Sequence, residues 1–139
     1  MALSESGKLI YQQKPMLYKY DVVAGAINIY KTAILNRDAS GNVKLGSDAV
    51  SETFAGIAYE ELLQGSGASA GDNQIQVIGA KTGNVVKLPF TGVTKADIGK
   101  DVYVNGDDAV ALAATTTNDV RVGTIIDIAE TNYCYVILN

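Results

Sequence analysis

Apolar and polar residues alternate along this chain in short runs, and glycine, asparagine and aspartate cut the runs apart. INIYKTAILNRD is followed by a turn at ASGN and then by VKL. SETFAGIAYEEL comes next, then the glycine-rich LQGSGASAGDN, QIQVIG, a turn at AKTGN, and VVKLP. The last third reads DVYV, a turn at NGDD, AVALA, the polar link TTTND, VRVGTIIDIA, a turn at ETN, and YCYVIL. Period-two alternation predicts half-buried strands, and no window holds an apolar stripe of period 3.6 long enough for a substantial helix. Only Lys95-Ala96-Asp97, after Thr94, predicts one short helical turn. The expected fold is all-β, a small sandwich or partly open barrel spanning residues 21–139. Residues 1–20, MALSESGKLIYQQKPMLYKY, have weak periodicity, a proline and three tyrosines, and are expected to form an extended N-terminal arm or a peripheral strand.

The runs also repeat. KTAILN, from Lys31, leads through RDASGN to VKL and then to FAGIAYEE; KDVYVN, from Lys100, leads through GDD to AVALA and then to RVGTIIDI. Lys31 and Lys100 stand 69 positions apart, and Gly56 and Gly123 stand 67 apart. This predicts a divergent internal duplication of a hairpin-plus-strand unit. Each half would bury its apolar face against the other. A glycine in the middle of each third strand predicts a bulge or a close backbone approach there.

Composition then narrows the chemistry. The chain has 139 residues and a formal net charge of -4, which disfavours a nucleic-acid backbone or an anionic membrane as partner. MALSESGKLI has no basic region followed by an apolar run, and no segment approaches the length of a membrane span. There is no histidine and no tryptophan, and the single cysteine, Cys134, allows neither an internal disulfide nor a multi-cysteine metal site.

The remaining reactive groups read as structure. Asp107-Asp108 falls in a turn, and neighbouring carboxylates on a strand such as Glu60-Glu61 point to opposite faces. Asp38 and Asp72 sit in turn sequences where carboxylates cap local amides. No calcium-loop spacing surrounds them. GSGASAG lacks the Lys-Ser/Thr pair of a phosphate-binding loop. Cys134, with no histidine to ionise it, is expected to fill the core. Tyr133 and Tyr135 are expected on one face of the last strand, opposite Cys134 and Val136, where packing or a protein interface explains them. No catalytic, cofactor or metal residue is expected. Tyr11, Tyr18 and Tyr20 are the candidates for partner contact, because aromatic residues are enriched at interfaces.

The succession Ile98-Gly99-Lys100-Asp101-Val102-Tyr103-Val104, Ala109-Val110-Ala111-Leu112 and Val122-Gly123-Thr124-Ile125, with its counterpart upstream, resembles the small all-β head-decoration (cement) proteins of tailed bacteriophages. The resemblance covers roughly residues 22–139. It implies a structural virion protein bound to the major capsid protein on the outer surface of an assembled shell, often as trimers near local three-fold axes. It implies no enzyme activity and no cofactor, and synthesis in the host cytoplasm before assembly. It also implies an N-terminal segment that helps grip the shell. Two alternatives stand beside it: a minor tail- or fibre-associated virion component, and a carbohydrate- or ligand-binding β module.

Overall fold

β-Branched and aromatic residues alternating with polar ones suit a pleated surface with one buried face, and the intervening glycine and asparagine let the chain reverse. The computed structural model describes residues 14–139. Within them the chain forms β1 (Leu17–Asp21), β2 (Ile27–Ile29), β3 (Ile34–Arg37), β4 (Val43–Leu45), β5 (Thr53–Ala58) and β6 (Leu62–Gln64). It continues with β7 (Gln74–Gly79), β8 (Val85–Pro89), β9 (Asp101–Val104), β10 (Val110–Ala111), β11 (Arg121–Glu130) and β12 (Tyr133–Ile137). The expected helical turn is a 3₁₀ turn at Lys95–Asp97, where Asp97 N–H donates to Thr94 O and the Asp97 carboxylate accepts from Thr94 N–H, both at 2.9 Å.

The strands make two five-stranded sheets and a small ladder. Sheet I has the order β1-β7-β5-β3-β4, sheet II the order β8-β12-β11-β9-β10, and β2 pairs with β6. The fold is therefore all-β, with antiparallel sheets packed as a small sandwich. Sheet I curls until Val22, just after its edge strand β1, bridges Val43 of its other edge strand β4. The two edge strands themselves do not pair, so no barrel closes.

Both sheets follow one plan. Numbering each sheet's strands along the chain, the spatial order is first, fifth, fourth, second, third in each, and every neighbouring pair is antiparallel. The register repeats too. Gly56 lies opposite Leu35 and Phe54 opposite Asn36, leaving Ala55 as a bulge. Gly123 lies opposite Val102 and Arg121 opposite Tyr103, leaving Val122 as a bulge. The entry turns correspond as well. Thr32 N–H donates to Ala58 O and Gly99 N–H to Ile125 O, both at 2.8 Å, and both residues have positive φ, 77° and 92°.

All these pairs stand 67 positions apart, which corrects the alignment of the two lysines at an offset of 69. Asn36 corresponds to Tyr103, not to Asn105, because the bulge at each glycine fixes the register and the Lys…Asn resemblance does not. Between the fourth and fifth strands the first repeat is longer by eight residues, since Ile78 corresponds to Ile137 at an offset of 59. That extra chain carries β6.

The two repeats stack in the same sense, not face to mirrored face. Val102, Val104, Val122, Ile125, Cys134 and Val136 of sheet II pack on Ile34, Phe54 and Ile57 of sheet I, with Leu88 and Phe90 in the same cluster. The opposite face of sheet I forms a second core of Leu35, Val43, Ala55, Ala58, Ile75 and Val77, roofed by Ile27 and Ile29 of β2 and Leu62 of β6. Sheet I is thus covered on both sides, and β5 is buried from Phe54 through Ala58. Its counterpart β11 is exposed at Arg121 and half-buried at Thr124, because nothing among the described residues covers the outer face of sheet II.

Side chains follow this difference. Ile34, Phe54 and Ile57 meet the second sheet, while their counterparts Asp101, Arg121 and Thr124 face outward and bond to one another. Arg121 donates to Asp101 Oδ1 at 3.1 Å and Thr124 Oγ1 to the same oxygen at 2.9 Å. Asn139 joins them, accepting from Arg121 through its main-chain and side-chain oxygens. These hydrogen bonds, that from Arg121 first, hold the Asp101 carboxyl below its ordinary range.

Polar contacts fasten the repeats at one end. Ile34 N–H donates to Asp107 O at 2.8 Å. The Asp48 carboxylate accepts from Thr117 N–H at 2.6 Å and Asn118 N–H at 2.8 Å, and Asn118 Nδ2 donates back to Asp48 O. These amides depress the Asp48 pKa below its ordinary value of 3.8. A carboxylate whose folded pKa is lowered stabilises the fold above its unfolded pKa, and that contribution disappears as pH falls through the folded value. Asp48→Ala should therefore melt at a lower temperature than the parent near neutrality, and the gap should close on acidification below the ordinary aspartate range. Thermal melts of both proteins from about pH 7 to about pH 2 check this.

Candidate functional site

The three tyrosines singled out for partner contact have different standings. Tyr11 lies outside the described residues. Tyr18 and Tyr20 project from β1, the edge strand of sheet I paired with β7, so the segment 1–20 joins the sheet at its C-terminal end. They fall on one face by period two, and their rings stack with centroids 6.1 Å apart. Tyr18 fills the space above Gly79, where an added Cβ would fall 2.5 Å from its ring. Tyr20 packs on the second core, with the Arg37 guanidinium 4.7 Å from its ring centroid. Tyr18 is 44% exposed, and Met16 and Leu17 are exposed beside it. Asn84 ties this entry to the start of β8, accepting from Met16 N–H at 3.0 Å and donating to Lys14 O at 3.2 Å. The result is an exposed Tyr18 on a fixed strand, with Met16 exposed just before the strand, Leu17 exposed on its other face, and Tyr20 largely engaged in packing.

A second aromatic surface lies on the outer face of sheet II. Tyr133 and Tyr135 are each 37% exposed, Val85 is 38% exposed, and Cys134 and Val136 between and beyond the tyrosines are buried, as the alternation predicts. Lys87 reaches over the Tyr133 ring, 4.9 Å from its centroid, and pairs with Glu130. That pairing raises the Lys87 pKa above its ordinary value. Sequence reading found the two tyrosines but not the charges around them. Those charges come from β8 and β11, and only the strand order brings them alongside.

The acidic residues do structural work. Asp38 caps the amides of Ser40 and Asn42, Asp72 that of Ser69, and Glu60 accepts from Gln76 N–H. Among the described residues no three histidine, cysteine or acidic side chains come together as a metal site. No helix of the described residues is long and apolar enough to cross a membrane.

Cys134 is fully buried, and burial pushes its thiol up to about 11. A thiol that is neither ionised nor accessible is a poor nucleophile. Native protein should react with an aromatic disulfide reagent at least about a hundredfold more slowly than protein unfolded in guanidinium, following the open population. A native rate equal to the unfolded one would show that Cys134 is accessible.

Fold and surfaces together define a two-repeat, all-β protein that presents aromatic residues on fixed strands. No protein-family model matches the sequence, and no curated protein sequence matches it.

Proposed function

We propose that this chain is a structural virion protein, not an enzyme, that binds the major capsid protein on the outside of an assembled shell as a homo-oligomer and reinforces subunit junctions. The observation that carries the reading is the duplicated β body, with its partner-facing aromatics on sheet strands. The resemblance to phage decoration proteins supplies the partner. Tyr18 on β1, with Met16 just before the strand, is the shell-facing contact in this reading. Tyr20 acts by holding Tyr18 through their stacked rings. Each contact on a repeating lattice needs only modest strength, because an oligomer engages several sites at once. The excess of acidic side chains suits a surface facing away from packaged nucleic acid.

The test is copy number and position on purified particles, by quantitative gel and electron microscopy. Hundreds of copies on the shell exterior are the expected result. A few copies at the tail or one vertex would make the protein a minor tail- or fibre-associated component instead. Absence from particles would remove both readings. The carbohydrate-binding alternative has acid beside tyrosine on sheet II in its favour, but Lys87 already lies over the Tyr133 ring that a sugar would stack upon.

A further inference from the structure

Equivalent turns in the two repeats open on different residues. The turn between β3 and β4 is closed by Asp38 N–H on Asn42 O at 2.9 Å, and that between β9 and β10 by Asn105 N–H on Ala109 O at 3.0 Å. Asp38 and Asn105 are counterparts at the repeat's offset of 67. The Asp38 carboxylate caps the amides of Ser40 and Asn42. The exposed Asn105 side chain makes no hydrogen bond among the described residues.

A free side chain and an open main-chain nitrogen beside it coincide at Asn105 and at no other asparagine. The side chains of Asn36, Asn73, Asn84, Asn118, Asn132 and Asn139 are held by hydrogen bonds. Those of Asn28 and Asn42 are not, but Ile29 and Val43 follow them. A β-branched side chain there crowds the nitrogen to be attacked. Asn105 is the one asparagine followed by glycine, which leaves that nitrogen unshielded. The Gly106 N–H takes part in no hydrogen bond among the described residues.

We infer that Asn105 is a site of spontaneous deamidation and isomerisation in the folded protein. The Gly106 nitrogen attacks the side-chain carbonyl carbon of Asn105 and gives up its proton. A cyclic imide closes as ammonia departs. Water then opens the ring at one carbonyl or the other. Breaking the bond to the side-chain carbonyl leaves aspartate. Breaking the bond to the main-chain carbonyl leaves isoaspartate, with the chain rerouted through Cβ. Either product takes the formal charge one unit below -4.

The products differ in what they do to the contact between the repeats. The first repeat already carries an acid at this position, Asp38, so aspartate suits the turn. Isoaspartate adds a methylene to the main chain two residues before Asp107, whose carbonyl accepts Ile34 N–H at 2.8 Å. The lengthened turn shifts, and that clasp is lost. The conversion needs no partner, so it proceeds or fails separately from binding to a shell.

The experiment holds the native full chain at mildly alkaline pH and samples it over weeks by peptide mapping and mass spectrometry. The peptide with Asn105 should gain the mass difference between amide and acid at least about tenfold faster than those with Asn28 or Asn42. It should also split into two chromatographic peaks. The isolated isoaspartate form should melt about 3 °C or more below the parent, and Asn105→Asp within about 1 °C of it. Asn105→Gln, whose longer side chain closes such a ring far less readily, should give neither product. Conversion in guanidinium but not in the native protein would show that the fold protects Asn105, and would overturn the assignment. Equal rates at the three asparagines would overturn it too. An isoaspartate form that melts with the parent would remove the effect on the clasp.

Discussion

Alanine at Gly56 is expected to cost about 3 kcal/mol or more, a large share of the stability of a small domain. A Cβ there would fall 2.1 Å from Ile78 O and 2.4 Å from Val77 Cγ1, and the backbone sits at φ 147°. The first obstacle is main chain of the neighbouring strand, which cannot move without breaking the β5–β7 ladder. Gly123→Ala should behave alike, since its Cβ would fall 2.0 Å from Ile137 O, the counterpart of Ile78. Gly99→Ala is the contrast: its φ is 92° but nothing lies within 4 Å of the added carbon. Only the left-handed backbone opposes it, at roughly 1 kcal/mol. Urea denaturation of the three variants gives the ranking. Equal losses would show that the close approach of strands adds nothing at the central glycines.

Exchanging counterparts between the repeats should be strongly one-sided. Ile34→Asp places an acid in the interface between the sheets, where Ile34 is 1% exposed, and on the order of 4 kcal/mol or more should be lost. Asp101→Ile removes an exposed ion pair with Arg121 and should change stability by about 1 kcal/mol or less. The two substitutions exchange the same two residue types at equivalent positions of one scaffold. Their difference therefore measures what stacking the second sheet on the first contributes at that point. Similar losses from both would mean that the outer face of sheet II is as closely covered as the inner one.

Much of this was legible in the sequence because alternation is a local signal. DVYV, QIQVIG, VVKLP and YCYVIL became strands close to where the pattern placed them, and NGDD and ASGN became turns. Two long runs were read whole but fold as two pieces. INIYKTAILNRD breaks at Tyr30–Thr32, where Thr32 adopts positive φ, and SETFAGIAYEEL breaks between β5 and β6. No residue type announces either break, since threonine and glutamate are unremarkable there. LYKYD, placed at the arm's end, has a strand pattern that only its pairing with β7 makes decisive.

The duplication was visible through its glycines and misaligned through its lysines. A glycine forced by backbone contact is fixed in register, whereas a surface lysine is not. The contact surfaces were the least readable. Tyr18 depends on a glycine across the ladder, and the charges beside Tyr133 come from β8 and β11.

The β2–β6 ladder has a consequence beyond the core it covers. Two repeats stacked in the same sense define a step that, applied again, would extend without limit and turn each molecule into a monomer unit of a fibre. The β2–β6 ladder puts a lid over the leading surface, and the Arg121–Asp101–Thr124 network wets the trailing one. Neither end matches the other any longer, so the chain counts to two and stops.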